Sequence, residues 1–283
     1  MLKQRVITAI ILLAILLPAL FYPRPEPFCV LAAVAIAAAS WEWGRMQALA
    51  QVQSLGLALL MLLACAASWA AGLWSTATPL LWLLGGGAWV LLGAWMLARG
   101  VSGWGQMSRS LRLCAGFLAL WLAWLGICQA RMVGSNFLLS IMVLVWVADV
   151  FAYFTGRAFG GRIFARKLAP SISPGKSWEG VLGGMAGVLV LAFVWVGADT
   201  AWQAPVLSLY SRLARQGGAL LVLAALMLAA MSVVGDLVES LVKRSAGVKD
   251  SSALLPGHGG VLDRIDALLP TFPLAMMLNA VLG

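Results

Sequence analysis

The 283-residue chain is predicted to be an all-α, polytopic integral membrane protein with about nine transmembrane helices. Three observations carry that prediction. Hydrophobic residues make up 63% of the sequence, charged residues only 10%, and mean hydropathy is +0.97, whereas a soluble domain carries roughly 25% charged residues. The apolar residues fall in runs long enough to cross a bilayer, which takes about 20 helical residues. The runs are continuous, without a two-residue alternation, so they read as helices and not as barrel strands.

The segments lie near 6–22, 27–44, 54–73, 78–98, 112–130, 136–155, 180–198, 217–236 and 261–281. The first follows Lys3 and Arg5 and runs into Phe21-Tyr22-Pro23-Arg24 without a small-x-small cleavage site, so it reads as an uncleaved helix, not a signal peptide. The second ends at Trp41-Glu42-Trp43, where interfacial tryptophans give the group an anchoring role. The third and fourth carry no charge and offer no chemistry. The fifth follows Arg109 and Arg112, and the sixth carries Asp149 inside an apolar run. The seventh opens with Gly180, Gly183, Gly184 and Gly187, small residues that suit close helix packing in lipid. The eighth emerges at Asp236, and the ninth begins around Asp263 and Asp266.

Cation placement sets the orientation. With the N-terminus inside, the cytoplasmic set is Lys3, Arg5, Arg45, Arg99, Arg109, Arg112, Arg157, Arg162, Arg166, Lys167, Lys176, Lys243, Arg244, Lys249 and Arg264. Only Arg24, Arg131, Arg212 and Arg215 fall outside. The N-terminus is therefore expected in and the C-terminus out. This asymmetry explains most of the net charge of +9, which excludes a nucleic-acid partner and leaves anionic membrane lipids. Cys29, Cys65, Cys114 and Cys128 are scattered singly, and His258 is the single histidine. No zinc site can be assembled from that pattern, and the cysteines read as small buried hydrophobes.

Polarity divides one integrated membrane domain into two parts. Residues 1–135 are scaffold helices with two acids, Glu26 and Glu42. Residues 136–283 form the catalytic half, around a polar cavity facing the cytoplasm. Within it, Asp149 is a functional candidate because an intramembrane carboxylate is costly and must face a cavity or a partner. Next comes Ser171-Ile-Ser173-Pro-Gly-Lys176-Ser177-Trp-Glu179-Gly180. Its Pro-Gly-Lys-Ser is not a Walker loop, because Pro170 occupies the position of the required first glycine. Ser173 is expected at a helix start, where a hydroxyl and free amides bind anions. Lys176 suits a phosphate, and Glu179 is expected on the same helix face.

The stretch Gly235–Asp266 concentrates the remaining polarity. Five of the chain's 10 acids fall there: Asp236, Glu239, Asp250, Asp263 and Asp266. On a helix, Asp236, Glu239, Ser240 and Lys243 share one stripe, and Asp263 and Asp266 form a second pair with Arg264 turned elsewhere. Between them lie Lys249-Asp250-Ser251-Ser252 and the Pro256-Gly-His258-Gly259-Gly260 turn, whose glycines permit close approach to a ligand. Asp236, Asp263 and Asp266 can hold one or two Mg²⁺, which takes few carboxylates and completes its shell with water and phosphate oxygens. Phosphoryl-group chemistry is the expectation. For His258, general base, phosphate ligand and loop-fastening hydrogen bond stay open.

These residues resemble the signature of the phosphatidate cytidylyltransferase family, the CDP-diacylglycerol synthases. It runs here as Ser240, Lys243-Arg244, Lys249-Asp250, Pro256-Gly-His258-Gly-Gly and Asp263-Arg264-Ile-Asp266. The upstream Ser-Pro-Gly-Lys-Ser-Trp-Glu-Gly and the Asp149 segment are similar too, so the resemblance spans about 146–270. It implies transfer of CMP from CTP to phosphatidate with release of pyrophosphate, a homodimer, and a site on the cytoplasmic side; a bacterial inner-membrane location is expected because no organelle-targeting sequence is legible. It implies Mg²⁺, as one or two divalent ions, and leaves room for a monovalent K⁺. Carried onto this chain, Lys176, Lys243, Arg244, Lys249, Asp250, His258 and Arg264 act in the reaction, the cations among them on the triphosphate and the lipid phosphate. Asp149, Ser173, Ser177, Glu179, Ser240, Gly259 and Gly260 line the substrates.

Two other classes compete. An ion-coupled secondary transporter can use intramembrane Asp149 and Asp236, but such proteins carry paired repeats and midplane sites, and neither is legible here. A CDP-alcohol phosphotransferase needs an Asp-Gly-x-x-Ala-Arg opening, which the chain lacks.

Overall fold

With no water to satisfy backbone groups in lipid, an apolar run must close its hydrogen bonds within itself. The computed structural model describes Leu2–Leu282, and side chains from Gln4 to Val281. Met1 and Gly283 lie outside the described residues, as does the side chain of Lys3, one of the predicted cytoplasmic cations. The described residues form helices and no strand: α1 (Leu2–Phe21), α2 (Glu26–Met46), α3 (Gln51–Ala70), α4 (Pro79–Gln106), α5 (Arg109–Val133), α6 (Ser135–Phe159), α7 (Trp178–Ala201), α8 (Leu209–Gln216), α9 (Gly218–Ser245), α10 (Leu262–Ile265) and α11 (Leu268–Leu282). Eight of them, α1 to α7 and α9, are long and apolar enough to cross a membrane.

Local sequence explains where these helices start and stop. Pro25 stands before α2 and Pro79 opens α4, positions where a missing N–H costs nothing. Ser108, Ser177 and Ser208 cap α5, α7 and α8, each side chain accepting a backbone N–H from the first turn. Gly134 separates α5 from α6 at φ +144°, and a Cβ there would also press within 2.7 Å of Val206.

The ninth apolar segment is not one continuous helix. It breaks after Ile265 and resumes as α11, which is 15 residues long and short of a spanning window by itself. Asp266 accounts for the break: its Oδ1 accepts the N–H of Ala267 at 2.7 Å, and Pro270 has no N–H to return to the Asp266 carbonyl. α11 nonetheless runs through the middle of the bundle, packed on α4, α5 and α9, with Phe272, Leu274 and Ala275 fully buried. Its far end meets α8, where Arg212 Nη1 donates to Asn279 Oδ1 at 3.2 Å.

α6 and α7 pack closely, as the glycines predict. A Cβ at Gly180 would come within 3.0 Å of the Ala152 carbonyl oxygen, and one at Gly184 within 2.8 Å of that of Ala148. Backbone therefore meets backbone, and Asp149 is carried along that contact. α1 lies at the periphery against α2, with Thr8 Oγ1 donating to the Pro256 carbonyl at 2.9 Å. Cys29, Cys65 and Cys128 are buried free thiols and Cys114 is exposed.

Candidate active site

The end of α9 supplies the first polar group. Ser240 Oγ lies 3.3 Å from Asp236 Oδ1, and Lys243 Nζ lies 2.5 Å from Glu239 Oε2. The predicted stripe forms but divides between two sides of the helix. Asp236 borders a cavity between α6, α7 and α9, while Glu239 is 2% exposed and faces a smaller apolar cavity of about 210 Å³ between α4, α5 and α9. Lys243 also reaches Asp263 Oδ1 at 2.7 Å, so its ammonium ties α9 to α10 between two carboxylates.

The loop 246–261 wraps around Asp263. Its carboxylate accepts the Gly260 N–H at 2.7 Å and the Ser251 N–H at 3.0 Å, both on Oδ2, besides the Lys243 ammonium. Burial pushes the Asp263 carboxyl up, but the Lys243 ammonium and the hydrogen bonds the carboxylate accepts, that of the Gly260 N–H among them, outweigh burial and bring it down to about 2. A Cβ at Gly259, which has φ +84°, would meet Asp263 Oδ2 at 2.6 Å. At Gly260 it would strike Ser251 Oγ and a glutamate oxygen from α2. Both predicted glycines thus serve the fold of the turn around Asp263. Arg264 Nε donates to the His258 carbonyl at 2.9 Å, fastening the turn through the backbone and leaving the buried His258 Nδ1 without a partner. Lys249 and Asp250 are exposed. Arg244 Nε donates to the Ile172 carbonyl at 3.3 Å and joins this loop to the next one.

That second loop connects α6 to α7, and here the expected helix start moves. Ser173 does not open α7: its N–H bonds to the Ala169 carbonyl at 2.9 Å and its carbonyl accepts the Lys176 N–H at 3.2 Å, inside a tight turn. The fixed φ of Pro174 serves that turn, and the helix begins only at Trp178, with Ser177 Oγ accepting the Gly180 N–H at 3.2 Å. Lys176 consequently precedes the helix, and the face predicted to be shared with Glu179 does not exist. Glu179 is 4% exposed, and its Oε1 accepts the N–H groups of Gly161, Ile163 and Phe164, each at 3.0 Å. It staples the loop. Lys176 points the other way, with Nζ 2.5 Å from Asp236 Oδ2.

A cavity of about 450 Å³ opens beside that ion pair. Asp149, Lys176, Ser177 and Asp236 line its polar part, and Ala148, Ala152, Val181, Met185, Ala229 and Val233 its apolar wall. Tyr153 and Arg157 complete the rim, with Arg157 Nη1 donating to the Tyr153 hydroxyl at 3.0 Å. Both lie in the Asp149 motif, yet the sequence alone gives them no role.

Glu42 is the residue the sequence reading misses. It is fully buried and does not anchor at the interface with Trp41 and Trp43. Its Oε1 accepts the Ser252 hydroxyl at 2.5 Å and the Val261 N–H at 2.9 Å. Its Oε2 accepts the Leu262 N–H at 2.7 Å and faces Ser251 Oγ at 3.2 Å. One signal was available: a carboxylate inside an apolar helix is costly unless partnered, the argument that singled out Asp149.

The carboxylates differ in their fitness for a cation. Asp263 has both oxygens taken by protein donors. Asp266 stands close to Asp236 and Asp149, and burial, together with those two neighbours, pushes its carboxyl well above the usual carboxylate range. Crowded, desolvated carboxylates of this kind gain from a hard divalent cation. No group of three or more His, Cys, Asp or Glu among the described residues makes a ready metal cage. Mg²⁺ needs only one or two carboxylates when phosphate and water fill its shell, so Asp236 and Asp266 fit it.

A carboxylate and cation cluster at one end of an apolar helical bundle, beside a mostly apolar cavity with a charged end, defines a membrane-embedded enzyme that handles phosphate groups. More narrowly, residues 3–282 match the cytidylyltransferase family, and the chain belongs to it; it is a nucleotidyltransferase. It is 39% identical over 287 residues to a phosphatidate cytidylyltransferase of Pseudomonas aeruginosa, covering 96% of this chain and 95% of that protein. It is 51% identical over 140 residues to one of Haemophilus influenzae, covering 50% of this chain and 44% of the relative. A Bacillus subtilis protein of the same name is 36% identical over 173 residues, 58% of each chain.

Proposed function

We propose that this protein transfers CMP from CTP to phosphatidate, giving CDP-diacylglycerol and pyrophosphate. The cavity between α6, α7 and α9 carries the proposal, because a lysine–carboxylate pair stands at its polar end and an apolar wall runs beside it. A lipid phosphate can meet a nucleotide there while its acyl chains remain against Ala152, Met185 and Val233. The resemblance to phosphatidate cytidylyltransferases along nearly the whole chain supports the same substrates.

In the reaction an oxygen of the phosphatidate phosphate attacks the α-phosphorus of CTP. The bond from that phosphorus to the bridging oxygen breaks, and pyrophosphate leaves with the electron pair. The acceptor is already anionic, so no protein nucleophile is needed and catalysis is positioning with charge stabilisation. Lys176 turns from Asp236 to a phosphate; Arg244, Lys249 and Arg264 stand around the loops and bind the triphosphate. Lys243 holds Asp263, and through it the loop, at a fixed distance from α9. Asp236 and Asp266 would hold Mg²⁺, which offsets phosphate charge when bound.

The proposed topology has the N-terminus inside and α11 completing a ninth crossing, supported by its course from Asp266 to the α8 end of the bundle. The enzyme then works in a bacterial inner membrane with its site at the cytoplasmic face, the side to which the predicted topology assigns 15 of the 19 cations. The homodimer rests on the family resemblance. The test is pyrophosphate release by purified protein given CTP, phosphatidate and Mg²⁺. Release that needs all three, with CMP found on the lipid, is expected; folded protein releasing none refutes the assignment.

A further inference from the structure

We infer that Glu42 is a positioning residue for the transfer reaction: from α2, it sets the shape of the loop that wraps around Asp263 and leads into α10 and Asp266. The inference rests on the proposed reading of this loop as part of the cytidylyl-transfer site. Glu42 touches no part of the cavity, and its action is exerted through other groups. Three donors converge on it, the Ser252 hydroxyl and the Val261 and Leu262 N–H groups, and the Ser251 hydroxyl stands beside them with one hydrogen to share between Glu42 and Asp263. The two amides stand at the start of α10, where backbone donors have no helical partner. A carboxylate from a helix more than two hundred residues earlier therefore acts as their cap.

The link to Asp263 is a single hydroxyl. Ser251 Oγ lies 3.2 Å from Glu42 Oε2 and 3.0 Å from Asp263 Oδ2. The Ser251 N–H reaches the same Asp263 oxygen at 3.0 Å. Moving Glu42 thus moves the segment that holds Asp263, and with α10 it moves Asp266. The side chain must also be a carboxylate. Each Glu42 oxygen faces one backbone N–H, Val261 on Oε1 and Leu262 on Oε2. An amide in either orientation would set its NH₂ against one of them, donor against donor.

The experiment uses the full-length protein in detergent and compares Glu42→Gln with the milder Ser252→Ala, which removes one donor and leaves the buried carboxylate in place. Glu42→Gln is expected to lower kcat/KM for CTP by about 100-fold, as misplacement of reacting groups does. Part of that loss should be a rise of at least about threefold in the CTP KM, because a partly unfolded sample lowers apparent kcat and leaves KM unmoved. Ser252→Ala is expected to change both in the same sense but less. Hydrogen exchange should show faster exchange confined to residues 250–262 in both variants. Wild-type kinetics in Glu42→Gln overturns the inference, and so does a fall in kcat with unmoved KM and exchange raised throughout the protein. Asp236→Asn, assayed alongside, separates the two ideas: if it too keeps wild-type turnover, the site assignment fails first and the role of Glu42 falls with it.

Discussion

At the scale of single residues, the site is defined by which charges are already satisfied and which are free to exchange partners. Lys176 and Asp236 hold one another at 2.5 Å at the edge of the cavity, their side chains 24% and 33% exposed. A phosphate entering the cavity offers Lys176 a second anion in exchange for the carboxylate, so the ammonium can pass from one charged partner to the other. Lys176→Ala should leave the fold intact and raise the CTP KM by about 10- to 100-fold, the worth of one charged hydrogen bond; a CTP titration of the purified variant checks this. Asp263 behaves oppositely. Its folded carboxyl lies at about 2, below the ordinary aspartate value of about 3.9. A depressed carboxyl stabilises the folded state above its unfolded value, and that contribution is lost as pH falls through the folded one. Asp263 should therefore add constant stability at pH above about 5 and lose it between about pH 4 and pH 2. Thermal unfolding of wild type and Asp263→Ala across that range measures it: the gap between them should close only on the acid side. The acids and cations of the signature were legible because charge is rare in this chain. The partners of Glu42 were not, since they stand 209 to 220 positions away and no local period connects them.

At the scale of elements, the apolar runs predicted α1 to α7 and α9 to within a few residues at most ends. The failures have local chemical causes. α7 starts at Trp178 and not at Ser173, because the Ala169–Ser173 bridge closes a turn first. The last segment splits because Asp266 captures the next amide. Gly184 offers a test at this scale. A Cβ on it would stand only 2.8 Å from the Ala148 carbonyl oxygen across the α6–α7 contact, closer than packed atoms tolerate. Gly184→Val should destabilise the protein by about 1–3 kcal/mol through overpacking, read as a lower unfolding midpoint. Because Asp149 lies one residue beyond Ala148, turnover should fall with it.

At the scale of the molecule, the two predicted parts do not divide the labour as the composition suggests. The scaffold half, 1–135, holds the reactive loop through Glu42 and touches it again through Thr8. Topology belongs to this scale as well. With the N-terminus inside and α11 crossing, a reporter fused to the C-terminus should read outside; a cytoplasmic signal would remove the ninth crossing. The cation asymmetry predicts that orientation, whereas the helix-to-helix neighbours were not legible, because nearly uniform hydrophobicity carries no record of which face meets which.

The reach of Glu42 has a consequence for biosynthesis. A polypeptide is made from its N-terminus, so α2 enters the membrane long before the serines and amides that will surround its carboxylate are translated. Closing contacts so distant along the chain is a late and slow event. Until it happens, the nascent chain carries a bare acid on one side of the bundle and an unfastened glycine-rich turn on the other. A ribosome that stops early leaves a product with neither half of the clasp engaged. The contacts of Glu42 with Ser251, Ser252, Val261 and Leu262 can therefore form only once nearly the whole chain has been made.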